Sequence, residues 1–171
     1  AKTLAHLFKY DSVHRRFTGT VESDEKTIKI NGHEIKMLHE RDPKNLPWAA
    51  LKIDIVLEST GIFRTKELAE QHLTAGAKKV ILSAPPQSDG IKSVVLGVNM
   101  DILDGSEKIL SNASCTTNSA APLVHVMKKL GTIESCYITT VHSYTSDQRL
   151  HDAPHKDLRR ARAAAESIVP T

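Results

Sequence analysis

Residues 53–57 read IDIVL, a short apolar run rich in β-branched side chains, and they end on the small polar tip Glu58, Ser59, Thr60, Gly61. Such a run suits a strand buried on both faces. Further on, KKVILSAP repeats the design, with residues 80–82 as strand and Ser83 at its tip. Between the two, Leu68, Ala69, His72 and Leu73 fall near i, i+3, i+4 spacing, which predicts a helix over 65–75 stopped by Gly76. A strand, a helix and a strand within roughly 30 residues form a crossover unit, and crossovers join parallel strands. The fold class is therefore α/β, with an open parallel sheet.

Other elements fit around this unit. Residues 27–30 and 34–38 flank Asn31-Gly32, the pair that most readily accepts positive φ at both centres of a tight hairpin. Further strands are predicted at 93–97 and 108–110. The second of these places SNASCTTN, residues 111–118, at a strand's carboxyl end, the edge where open α/β sheets bind ligands. A helix follows, with Ala120, Leu123, Val124, Met127 and Leu130 spaced for one apolar face and Gly131 as its stop. Pro122 allows two starts: near Ala120, or at Ser114 with a bend at the proline. Residues 135–142, SCYITTVH, alternate as a strand, and an alanine-rich helix is predicted near 159–167.

Composition narrows the partners. With 23 Lys and Arg against 20 Asp and Glu, the signs interleave and no broad basic field points to nucleic acid. No apolar run approaches the roughly 18 residues that would span a bilayer, so no membrane partner is expected. Two cysteines without repeated spacing argue against a disulfide framework, and the start shows no signal peptide, so a reducing, cytoplasmic setting is expected. No spacing suggests a metal site.

Cys115 has two readings. At the start of a helix, unpaired N–H groups and the positive end of the dipole favour thiolate over thiol, and His142, at the end of a predicted strand, could add an ion pair. Alternatively it is a buried, inert thiol. Cys136, inside the predicted strand, reads as small apolar filler.

SNASCTTN, TTVHSYTSDQ and PHKDLRRARAAAESIVPT resemble the active-site segments of the phosphorylating glyceraldehyde-3-phosphate dehydrogenases, and KYDSVHRRF, HERDP, ESTGIF, AGAKKVILSAP and GVN continue the match in family order. The resemblance implies a doubly wound Rossmann-type parallel sheet followed by the start of an α+β catalytic domain, divided as 1–113, a partial NAD(P)-binding domain, and 114–171. It also implies an internal piece of a longer chain, without the family's glycine-rich turn and the later catalytic part, and inactive by itself.

By the same resemblance, Cys115 is the nucleophile that forms a thioester and His142 is its base. Ser114, Thr116 and Thr145 contact substrate phosphate, and Arg41, Ser83 and Thr60 contact the cofactor. Read from the residues alone, the three hydroxyls are as readily backbone caps in turns. The implied partners are glyceraldehyde 3-phosphate, inorganic phosphate and three further copies of the chain in a homotetramer. The segment from Ser143 to about Ala165 matches a loop near a neighbour's cofactor, so Arg159, Arg160 and Arg162 are either interface residues or a solvated helix face. Ser119 stands where a second cysteine is common. Ala153-Pro154 is half of the pair typical of NAD users and half of that of NADP users, so the expected cofactor is NAD with NADP left open. Erythrose-4-phosphate dehydrogenase is the neighbouring enzyme reading. A cysteine protease would need an orienting Asn or Asp that no motif supplies.

Overall fold

The computed structural model describes residues 1–170; Thr171, the last residue of the final motif, lies outside the described residues. The chain divides into two units, Ala1–Pro122 and a second beginning at Leu123.

The first unit opens with α1 (Lys2–Lys9), which sequence patterning left unassigned although Leu4, Leu7 and Phe8 carry helical spacing. Two short strands, β1 (Tyr10–Asp11) and β2 (Arg15–Arg16), pair antiparallel behind it. A meander of β3 (Val21–Ser23), β4 (Thr27–Ile30) and β5 (His33–Lys36) follows. Its hairpin turns at Asn31 (φ 48°) and Gly32 (φ 82°), the two positive-φ centres the Asn-Gly pair was expected to provide.

Next comes the parallel sheet. β6 (Ile55–Glu58), β7 (Lys79–Leu82), β8 (Lys92–Ser93) and β9 (Ile109–Ser111) lie in the order β6-β7-β9-β8, all parallel. α2 (Lys66–Thr74) crosses from β6 to β7; the Thr65 hydroxyl caps it by accepting from the Leu68 N–H at 3.3 Å. Gly76, at φ 107°, turns the chain immediately beyond its end, where an added Cβ would meet Ala49 at 2.5 Å. The core lies between α2 and one sheet face: Ala69, Val80, Leu82, Ile91 and Ile109 are buried, with Leu73 against them.

Several expectations need correcting. β6 is not buried on both faces: Val56 and Glu58 are covered, but Ile55 and Leu57 are 53% and 68% exposed. β6 is also a sheet edge, because among the described residues no strand pairs on its outer side. The strand expected at 93–97 stops at Ser93. There the Asn99 side chain accepts from the Val95 N–H and donates to the Ser93 carbonyl, occupying backbone groups that a longer ladder would use.

α3 (Cys115–Met127) takes the earlier of the two predicted starts, with Pro122 inside it. It ends before Gly131 because its last turn tightens: Lys129 and Leu130 donate three residues back, to Val126 and Met127. Its apolar stripe is not buried; Leu123, Met127 and Leu130 are exposed.

In the second unit, residues 135–142 form no strand, since no strand follows β9 among the described residues and a lone strand has no ladder to join. Cys136 is accordingly exposed rather than core filler. The helix expected at 159–167 shrinks to a 3-10 turn, Leu158–Ala161. Asp152 accepts from the Ala163 N–H, and the Arg149 carbonyl accepts from Ala164, so long-range partners hold amides that a helix would have paired locally.

Candidate active site at the carboxyl edge of the sheet

The turn from β9 into α3 is held from within. Ser111, 1% exposed, donates its hydroxyl to the Ala84 carbonyl (2.8 Å) and accepts from the Ala113 N–H (2.9 Å). Asn112 donates to the Leu82 carbonyl at 2.9 Å, tying the turn to β7. Ala113 sits in the left-handed region at φ 57°, a conformation that costs a non-glycine residue roughly 1–2 kcal/mol. The Asn118 amide closes the turn by donating to the carbonyls of Asn112 (2.7 Å) and Ser114 (2.9 Å). Ser111 and Asn118 escaped sequence reasoning; the one available signal was the density of small hydrogen-bonding residues in SNASCTTN.

Cys115 is thereby presented as the first residue of α3, and it is exposed. The N–H groups and dipole of a helix start favour an anion at this position. The Ser114 hydroxyl accepts from the Thr117 N–H (2.9 Å) and shares a hydrogen bond with the Thr117 hydroxyl (2.7 Å), so it caps α3 as the residue-only reading allowed. Thr116 lies in the first turn of the same helix.

Register puts further predicted residues at the same edge. Glu58 lies opposite Leu82, and Leu82 opposite Ser111, so β6, β7 and β9 end together. Thr60 and Ser83 follow the ends of β6 and β7, both exposed, and the Ser83 N–H donates to the Glu58 carbonyl at 3.0 Å. Arg41 lies in an exposed loop before the 3-10 turn Pro43–Asn45, its N–H bonded to Glu40.

A buried polar chain behind this edge had no signal in the sequence. Glu58 and His72, with side chains 4% and 5% exposed, meet at 3.0 Å through the His72 Nε2. The Trp48 indole N–H donates to His72 Nδ1 at 3.1 Å, and Phe63 stands edge-on to the imidazole. Glu58 also accepts from the Thr60 N–H at 2.7 Å and from the Thr60 hydroxyl. Burial pushes the Glu58 carboxyl up, but hydrogen bonds from His72 and Thr60 outweigh it and leave its pKa below the ordinary value. A cavity of about 560 Å³, lined by Trp48, Ile55, Leu57, Thr60 and His72 among others, opens beside the β6 edge.

In the second unit the His142 Nδ1 lies 2.6 Å from the Ser143 carbonyl, which can only accept, so Nδ1 carries a hydrogen. Thr145 and Gln148 clasp each other through the Thr145 N–H and carbonyl, both at 3.0 Å. Arg159, Arg160 and Arg162 pair with Asp157, Asp147 and Asp152 within the loop. Arg159 lowers the Asp157 pKa to about 2. Among the described residues no group of His, Cys, Asp or Glu could hold a metal ion, and no helix is long and apolar enough to cross a membrane.

Two family models match: the NAD binding domain of glyceraldehyde 3-phosphate dehydrogenase over residues 1–66, and the C-terminal domain of the same enzyme over residues 114–171. The glyceraldehyde-3-phosphate dehydrogenase of Thermotoga maritima is 58% identical over 170 residues, covering 99% of this chain and 51% of the relative. That of Geobacillus stearothermophilus is 55% identical over 172 residues, covering 100% and 51%. That of Clostridium pasteurianum is 53% identical over 172 residues, covering 99% and 51%. A parallel sheet with a helical crossover and its strand tips gathered at one carboxyl edge is a Rossmann-type α/β arrangement. The chain belongs to the glyceraldehyde-3-phosphate dehydrogenase family. It spans about half the length of the curated relatives it matches.

Proposed function

We propose that the whole protein oxidises glyceraldehyde 3-phosphate to 1,3-bisphosphoglycerate with NAD and inorganic phosphate. The observation that carries this reading is Cys115, exposed at the start of α3 and fixed there by the Ser111–Asn118 turn at the carboxyl edge of a parallel sheet. The Cys115 thiolate adds to the aldehyde carbon, forming the C–S bond and a hemithioacetal. His142 gives the carbonyl oxygen a proton as the C–S bond forms and takes it back as the C–H bond breaks with its electron pair leaving as hydride. Bound NAD supplies the hydride acceptor. The resulting thioester on Cys115 is cleaved by phosphate, which returns the thiolate. Ser114, Thr116 and Thr145 hold phosphate oxygens, for which hydroxyl and backbone N–H groups are suited.

The exposed hydroxyls at the tips of β6 and β7, Thr60 and Ser83, fit a dinucleotide, whose ribose and carboxamide groups need partners of this kind; Arg41 is the remaining candidate contact. Ala153-Pro154 is compatible with NAD, with NADP the alternative cofactor. The reading assigns residues 1–113 to cofactor binding and 114–171 to catalysis, in a cytoplasmic homotetramer whose 143–165 loop approaches a neighbour's cofactor. The 171 residues alone are inactive in this reading.

The test is kinetic, on the full-length enzyme. Cys115→Ser reduces NAD turnover to background while leaving NAD affinity within about threefold, because an alcohol is a far weaker nucleophile than a thiolate near neutral pH. Wild-type turnover of the aldehyde depends on phosphate. A Cys115→Ser enzyme that keeps its rate, or a wild-type rate indifferent to phosphate, overturns the proposal.

A further inference from the structure

The hydrogen bonds behind the β6 tip have a fixed direction. The Trp48 indole N–H can only donate, so His72 Nδ1 accepts and carries no hydrogen. The imidazole hydrogen is therefore on Nε2, pointing at Glu58 Oε2. Glu58, as a carboxylate, can only accept, so its other oxygen takes both the Thr60 N–H and the Thr60 hydroxyl hydrogen. The Thr60 oxygen then has its hydrogen turned inward, and one of its lone pairs already accepts from the Ile62 N–H at 3.1 Å. One lone pair remains.

We infer that Trp48, His72 and Glu58 are positioning residues that set the polarity of Thr60, so that this exposed tip meets the cofactor only as a hydrogen-bond acceptor and recognises a donor: a ribose hydroxyl or the carboxamide N–H. The inference rests on the cofactor reading above and extends it. It excludes phosphate as the partner of Thr60, since a fully ionised phosphate oxygen offers no hydrogen. It also gives a reason for a carboxylate and an imidazole to be buried together at the end of a strand, where two apolar side chains would fill the same space without desolvating a charge.

Polarity makes the relay testable by substitutions that keep shape. In Glu58→Gln the side chain can accept from Thr60 only by aiming its NH2 at the His72 N–H. The imidazole can escape that collision by moving its hydrogen to Nδ1, where it meets the Trp48 N–H instead. Turned the other way, the amide NH2 faces the Thr60 N–H. Every arrangement opposes two donors. Trp48→Phe removes the donor that blocks the imidazole from switching, so Trp48→Phe should repair Glu58→Gln although the indole makes its hydrogen bond to His72 and not to residue 58.

The experiment uses the full-length enzyme and NAD titration. Glu58→Gln weakens NAD binding roughly tenfold, the loss of about one well-placed hydrogen bond. The double variant Trp48→Phe/Glu58→Gln returns to within about threefold of wild type. Nitrogen NMR of the imidazole shows Nε2 protonated in wild type and Nδ1 protonated in the double variant. Thr60→Val identifies the donor. Its penalty vanishes with an acetylpyridine analogue of NAD if the carboxamide is recognised, and with an analogue lacking one nicotinamide-ribose hydroxyl if the ribose is. A penalty that persists with all these analogues overturns the inference. So does an Nδ1-protonated His72 in wild type, or a double variant no better than Glu58→Gln. Wild-type enzyme that binds no NAD overturns the cofactor reading itself. Wild-type binding with unchanged Glu58→Gln affinity overturns the relay alone.

Discussion

Ser111→Ala removes one oxygen from the interior of the turn that presents Cys115. That oxygen makes two bonds, to the Ala84 carbonyl and from the Ala113 N–H, and the residue is 1% exposed. Each bond is worth about 0.5–1 kcal/mol, and stranding the buried Ala113 amide adds about 1–2 kcal/mol more, so local stability falls by about 2–4 kcal/mol. The loss should be concentrated here, because Ala113 is already in a strained left-handed conformation and this hydroxyl is the acceptor for its amide. Native-state hydrogen exchange on the full-length protein reads it directly. The Ala113 amide should exchange roughly 30- to 1,000-fold faster, and alkylation of Cys115 should change with it. Ser119→Ala, in α3 but outside the turn's hydrogen bonds, serves as the control and should alter exchange by no more than the factor that corresponds to about 0.5 kcal/mol. If Ser111→Ala behaves like Ser119→Ala, the turn is not held by this hydroxyl and the account of how Cys115 is presented fails.

Two further outcomes follow from the fold. Gly76→Ala should destabilise by about 2 kcal/mol or more, since the methyl would be forced at φ 107° to within 2.5 Å of Ala49; an unchanged denaturation midpoint would contradict this. Acid should destabilise the first unit over a definite window. Hydrogen bonds and Lys92 hold the Asp104 and Glu107 pKa values at about 2, and Glu58 is also lowered, so their contribution is fully present above the ordinary carboxyl range and disappears as pH falls from about 4.5 towards 2. Stability that rises on acidification through that window would refute the assignment.

What could be read from the sequence was what local chemistry decides. Asn31-Gly32 encodes its own turn, the apolar spacing over 65–75 its own helix, and the apolar run ending in small polar residues marks β6 and β7 wherever they pair. Residues 135–142 have a strand's alternation but no partner among the described residues, and a pattern of side chains cannot supply a ladder. The 159–167 helix failed for the opposite reason, because Asp152 and Arg149 reach across the loop and take its amides. The Trp48–His72–Glu58 chain joins residues 24 and 14 positions apart, and neither spacing has a motif; only the packing of α2 on the sheet brings them together. Cys115 lies at one of the two helix starts that Pro122 allows, and the Ser111 and Asn112 ties that hold it there depend on where β7 and the loop after it run.

The left-handed backbone at Ala113 also acts as a filter on mutation. Its side chain is buried, which disfavours the Asn and Asp that otherwise tolerate such torsions, and a β-branched residue would collide with its own backbone. Alanine and glycine are left as the tolerated alphabet at this site. Any redesign that broadens the approach to the sulfur must therefore work from the helix side of the turn and leave the strand side untouched.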